Sequence, residues 1–190
     1  MKKLLIVTTI IGSLMSSMAF AKTEGNYVGL DILNTNFESY DSYNEKHDGR
    51  DFGLGLNYKH AINFDSFFIA PGVFYNFNNV EISYKDKDGD SYNDKLRYSY
   101  GINLDLGYDI NDKFATFASV GYVESRINHN AIWSNTQSDL TEESILYGFG
   151  VKYSATDLID VNLSYEYFSY DSADNNLDVD VLKIGASYKF

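Results

Sequence analysis

Apolar and polar positions alternate along this chain with a period of two, and the cleanest run covers residues 96–109, LRYSYGINLDLGYD. Leu96, Tyr98, Tyr100, Ile102, Leu104, Leu106 and Tyr108 form one set; Arg97, Ser99, Gly101, Asn103, Asp105 and Gly107 form the other. A period of two marks a strand whose two faces meet different media. Soluble strands usually stop at about six residues. This run is long enough for a tilted bilayer crossing, which takes roughly 9–11 residues. If the apolar set meets lipid, Arg97 and Asp105 face an interior.

The same alternation predicts further strands over 26–37, 51–60, from Ser66 to about 77, 114–127, 144–154, 159–170 and 177–190. Val28, Leu30 and Ile32 oppose Tyr27, Gly29 and Asp31 in the first; Phe52, Leu54, Leu56 and Tyr58 oppose Gly53, Gly55, Asn57 and Lys59 in the second. Pro71 sits inside the third strand, where proline removes a ladder donor, so a bulge or an unpaired position is expected there. Beyond Asn79 the apolar set changes phase to Val80, Ile82 and Tyr84, which reads as a bulge or as the hairpin leaving the membrane.

Between the strands, 38–50, 86–94, 128–143 and 171–176 read as polar loops, and 61–65, 110–113 and 155–158 as short turns. Long and short connections therefore alternate. That is the pattern of an all-β, eight-stranded antiparallel up-and-down transmembrane β-barrel. A lumen of this size is filled by side chains. Glycines on the inner set, such as Gly53, Gly72, Gly101 and Gly185, make room for long partners such as Arg97 and Lys183. Hairpin arithmetic places Lys152 beside Asp160 or Asn162, and Glu166 beside Lys183, as interior ion pairs. The same polar residues, with Arg97 and Asp105, could instead line a narrow conduction path.

Composition narrows the class. The 190 residues include no Cys, one Pro, 17 Tyr and 13 Phe. The lack of Cys excludes a disulfide framework and thiolate metal sites. The N-terminus reads as a secretory signal peptide over 1–21: Lys2 and Lys3, an apolar core from Leu4 to Ile11, and an A-x-A site at 19–21. The barrel domain is then 22–190. The formal charge of −12 becomes two units more negative without the two leader lysines, which argues against a nucleic-acid partner. No later stretch has the roughly 18 apolar residues of a membrane-crossing helix.

With these features the mature chain resembles the eight-stranded outer-membrane barrel families of the OmpX, Opa and small surface-antigen type. The resemblance rests on the signal peptide, the glycine-rich alternating strands and the ending Ile184-Gly185-Ala186-Ser187-Tyr188-Lys189-Phe190. It implies that Phe190, with Tyr188 and Ile184 beside it, is a signal read by the barrel-assembly machinery. The plainer alternative is that Phe190 is the last lipid-facing side chain. It also implies a bacterial outer-membrane location, with loops extracellular and both termini periplasmic. The implied role is adhesion to a host or neighbouring cell, or resistance to host defence.

Two motifs carry other chemistry. Asp86, Asp88, Asp90 and Asp94 place acidic oxygens around Gly89, as a calcium loop requires, but the glycine is one position early for an EF-hand. The alternative is a solvated acidic tip with an Asp-Gly turn, and no other cofactor is expected. His47, His60 and His129 lack zinc-ligand spacing, and no nucleophile-base-orienter set is legible, so an enzyme is not expected. The leading expectation is a surface protein with a plugged polar lumen that binds through acidic and aromatic loops. Tyr40, Tyr43 and Trp133 are its contact candidates. A small-solute channel or a purely structural barrel are the alternatives. A closed barrel leaves no sheet edge that demands a partner, so a monomer in outer-membrane lipid is expected.

Overall fold

The computed structural model describes residues 23–40, 46–85, 91–131, 136–171 and 176–190. The predicted leader 1–21 lies outside them. Eight antiparallel strands close into one barrel in sequence order. They are β1 (Gly25–Tyr40), β2 (Lys46–Phe64), β3 (Phe67–Lys85), β4 (Ser91–Asp109), β5 (Phe114–Ala131), β6 (Thr136–Ser154), β7 (Ile159–Asp171) and β8 (Asn176–Lys189). Closure pairs β1 with β8 from Tyr27↔Lys189 to Ser39↔Leu177. Every adjacent pair is thus hydrogen-bonded, as a segment in hydrocarbon requires.

One rim carries the short turns after β2, β4 and β6; the other carries the hairpins β1–β2, β3–β4, β5–β6 and β7–β8. Asp65, in the β2–β3 turn, takes φ 67°, a left-handed conformation that Asp tolerates. At the hairpin end the strands run further than the alternation predicts. The β1–β2 ladder continues to Tyr40↔Lys46 and the β3–β4 ladder to Lys85↔Ser91. Most of the polar stretches read as loops are therefore paired strand whose outer face meets water.

The outer wall has an apolar belt, with Leu30, Ile102, Phe149 and Ile184 all more than half exposed. Such a surface is stable only against lipid. Aromatic rings edge it at the turn end, where Phe67 meets Tyr108 at 5.0 Å and Phe114 meets Tyr153 at 4.9 Å. At the hairpin end Tyr75 stacks on Tyr98 and Tyr100, at 5.6 and 6.3 Å. There the tyrosine hydroxyls donate to carboxylates of the wall above: Tyr100 to Glu124, Tyr165 to Asp180, and Tyr167 to Asp178 at 3.0 Å.

One expectation holds and one changes. Pro71 gives the unpaired position rather than the bulge: the β2–β3 register is the same on both sides of it, and Ala70 and Pro71 drop out of that ladder. The faultless run 96–109 does contain a fault. The register shifts between Leu96 and Tyr98 against β5, and between Phe77 and Val80 against β3. Arg97 occupies the bulge, so both Arg97 and Tyr98 project outward and Leu96 turns in. Arg97 is exposed on the outer wall and is not a lumen residue; Leu96 is fully buried inside.

Candidate functional site

The lumen has two layers of opposite character. In the layer toward the turn rim, inward positions carry charge. Lys183 Nζ lies 2.6 Å from Glu166 Oε2, and Lys152 Nζ lies 3.2 Å from Asp160 Oδ2. Asp105, expected to face the interior, meets Lys59 at 2.5 Å and also accepts from Asn103 and Ser119, each at 2.7 Å. Asn57 and Asn162 donate to Asp31 at 2.7 and 3.3 Å. Thr23 donates its backbone N–H and its hydroxyl to Asp109.

Glycines at two places let these side chains cross the barrel. Gly72 lies in register between Lys59 of β2 and Asn103 of β4. A Cβ there would meet Lys59 Cγ at 2.8 Å, so only glycine lets Lys59 pass over β3 to Asp105. Gly185 does the same between β1 and β7: a Cβ would collide with the Asp31 carboxylate on its way to Asn162. Each lysine also lies over an aromatic face, Lys183 over Phe74 at 5.1 Å, Lys59 over Phe117 and Lys152 over Tyr27, both at 5.4 Å. A cavity of about 70 Å³ remains among these groups, space for a few waters.

The layer toward the hairpin rim is apolar. Leu33, Phe37, Val80, Leu96, Val123, Ile127, Leu146, Phe168 and Val179 pack into one cluster inside the barrel, each 2% exposed or less. Here the outer wall meets water, so the ordinary rule returns and the apolar residues go inside. That inversion explains the phase change at Val80 and Ile82. One uncharged chain of hydrogen bonds crosses the layer: Thr35 to Asn78 at 3.1 Å, Asn78 to Ser99 at 3.0 Å, Ser125 to Ser99 at 2.7 Å, and Tyr170 to Ser125. The expected polar lumen is therefore ion-paired in its lower half and mostly apolar in the layer above it.

Beyond this seal the hairpins differ in height. β6 pairs with β7 only from Tyr147↔Tyr167 to Ser154↔Asp160, while β5 pairs with β6 along its full length to Ala131↔Thr136. Residues 136–146 of β6 thus have no strand partner on the β7 side among the described residues.

The profile of a family described as outer membrane protein beta-barrel domain matches residues 7–190. The chain belongs to this family. Solved members of the same architecture include Neisserial surface protein A, at 16% identity over 88% of this chain and 98% of that one, with a TM-score of 0.60. OprG of Pseudomonas aeruginosa gives 15% identity over 90% and 98%, with a TM-score of 0.61. Ail, the attachment invasion locus protein of Yersinia pestis, gives 17% over 88% and 100%, with a TM-score of 0.57, in a complex with the heparin analogue sucrose octasulfate. No curated protein matches the sequence.

Asp86, Asp88 and Asp90 of the calcium motif lie outside the described residues. Asp94 does not extend that motif: it is buried in β4, and its Oδ1 lies 2.5 Å from His129 Nδ1. No group of three metal-ligating side chains occurs among the described residues. Tyr43 and Trp133 also lie outside them, and Tyr40 closes β1. Ile184, Tyr188 and Phe190 project into the apolar belt, Tyr188 stacked on Phe190 at 6.4 Å. The Phe190 backbone is tied to β1 by its N–H to Asn26 O at 2.9 Å.

The His129–Asp94 contact sits past the tyrosine girdle, beside the ring of Tyr92 at 5.7 Å. The Asp94 carboxylate holds the imidazolium and raises the His129 pKa above its ordinary 6.5. A raised value makes the contact fully stabilising below the unfolded pKa, and its contribution is lost as pH rises through the folded one. Amide protection in the upper part of the β4–β5 ladder should therefore fall as the pH rises above the ordinary histidine value of 6.5. His129→Gln should abolish that step; protection that grows with pH would contradict the assignment.

Proposed function

We propose that this chain is a surface-exposed binding protein of the bacterial outer membrane, acting in adhesion or recognition through its hairpin end. In this reading the hairpins are extracellular and both termini periplasmic. The observation that carries it is the dry layer inside the barrel, with Leu33, Phe37, Leu96, Leu146 and Val179 buried across the lumen. A solute would have to displace that packed layer and then the ion-paired one beneath it. Conduction is thereby disfavoured. What the chain offers its surroundings is the polar wall of hairpins that continues past the tyrosine girdle. Tyr40, which closes β1, is an aromatic contact candidate, as are Tyr43 and Trp133 outside the described residues. Phe190, with Tyr188 and Ile184, serves as the signal for the barrel-assembly machinery.

The partner class follows from charge. The wall beyond the girdle bears Glu124, Glu143, Asp178 and Asp180. Ail was solved with a sulfated heparin analogue, but an acidic wall repels a sulfated sugar, so the fit here is to a cationic surface. Refolded protein should give no steady conductance in a planar bilayer. Shortening the β1–β2 and β5–β6 hairpins should remove binding to target cells while heat-modifiable gel migration persists. Stable single-channel openings, or undiminished cell binding by both shortened variants, would overturn the proposal.

A further inference from the structure

Five strands contribute one continuous row of register partners inside the barrel. Asn76 of β3 is paired with Gly55 of β2, Gly55 with Asp31 of β1, Asp31 with Gly185 of β8, and Gly185 with Asn162 of β7. Each glycine leaves no side chain between the central carboxylate and a flanking amide. A Cβ on Gly55 would lie 2.9 Å from Asn76 Oδ1 and 3.2 Å from Asp31 Cβ. One on Gly185 would lie 2.9 Å from Asn162 Oδ1 and would collide with Asp31 Oδ1. Both amide oxygens are buried with no hydrogen-bond partner among the described residues, and Asn76 is 1% exposed. Buried polar atoms ordinarily have a partner. Asp31 is itself buried, and among the described residues no lysine or arginine comes within ion-pair distance of it. The lumen lysines are taken, Lys59 by Asp105, Lys152 by Asp160 and Lys183 by Glu166. Asn57 donates to Asp31 at 2.7 Å, but Asn162 only at a long 3.3 Å.

We propose that this row binds a small monovalent cation, sodium, between the Asp31 carboxylate and the amide oxygens of Asn76 and Asn162. Asp31 and Asn162 also line the lumen cavity, so water there can complete the ion's shell. A buried charge without a counter-ion is costly, and the ion supplies one. Hard cations take oxygen ligands, and neutral carbonyl oxygens replace the hydration shell inside a membrane protein. The ligand set selects the charge. One free carboxylate balances one positive charge, whereas calcium takes about 6–8 oxygens, several of them from carboxylates. The other acids of this layer that could serve a divalent ion are already held by lysines. The ion ties β1, β3 and β7 together over the glycines of β2 and β8. It is a counter-ion of the barrel wall, separate from the binding role of the hairpin end.

The test is the urea midpoint of the refolded barrel in phosphatidylcholine vesicles, with sodium chloride exchanged for N-methylglucamine chloride at constant ionic strength. The organic cation is too large for the row. The midpoint should rise with sodium and level off as a single site fills. Asp31→Asn should remove that rise while gel migration stays heat-modifiable. Asn76→Leu separates a ligand from an amide that is merely buried. Leu33 of the apolar layer borders the same Gly55 Cβ point at 3.2 Å, so this variant keeps volume and apolar contact and carries the test if Asp31→Asn fails to refold. It should need about tenfold more sodium, or greater, for the same rise. Sodium-23 line broadening by the parent barrel, lost in Asp31→Asn, reads occupancy directly. A midpoint indifferent to sodium would overturn the proposal. So would a midpoint that answers calcium but not sodium, or an Asn76→Leu change of the same size in both salts.

Discussion

Lys183→Met should destabilise the folded barrel by about 3–5 kcal/mol, and the double variant Lys183→Met, Glu166→Gln should recover most of that loss. Lys183 is 4% exposed and Glu166 8%, with Nζ and Oε2 2.6 Å apart. Removing the lysine alone leaves Glu166 ionised inside the lumen with its nearest cation gone. Neutralising both removes the desolvated charges together, and Met can still pack on the Phe74 ring that Lys183 covers at 5.1 Å. Urea titration in lipid vesicles reads the difference. Equal unfolding midpoints for the single and double variants would mean that Glu166 is held by something other than Lys183.

This pair was legible in the sequence because β7 and β8 are consecutive and joined by a hairpin. Counting outward from the turn brings 166 and 183 within two residues of one another's register, a diagonal pair, and the same offset holds for Lys152 and Asp160 across β6 and β7. The other half of the charged layer was not legible. Lys59 and Asp105 belong to β2 and β4, and Asp31 and Asn162 to β1 and β7. Their contacts run over Gly72 and Gly185 on the strands between. Inner-face glycine suggested room, but not which side chain would use it. Strand lengths were underestimated for a different reason. Beyond the girdle the outer face is Asn-, Ser- and Asp-rich because it meets water, and such composition looks like loop although the backbone stays paired. Number of strands, order of long and short connections and lipid face all followed from the period of two.

The second large effect concerns Leu96 and Arg97, where uninterrupted alternation and the structure give opposite answers. If period two held throughout, Leu96 would lie in lipid and its truncation would be mild, while Arg97 would be a lumen charge whose loss unpairs an acid. The bulge reverses this. Leu96, with no exposed surface, is packed inside among Val80 and Ile127, its register partners on either side. Leu96→Ala should therefore destabilise by about 2–5 kcal/mol, the transfer and cavity cost of a buried leucine. Arg97→Ala should change stability by no more than roughly 0.5 kcal/mol, as exposed substitutions do. The two urea midpoints decide between the readings, and an Arg97→Ala loss matching or exceeding that of Leu96→Ala would restore Arg97 to the lumen. The contrast also locates the level at which the protein changes solvent. Below Tyr98 the apolar side chains of β4 point out to lipid; from Leu96 upward they point in. A single extra residue suffices to switch them because one step along a strand exchanges its faces.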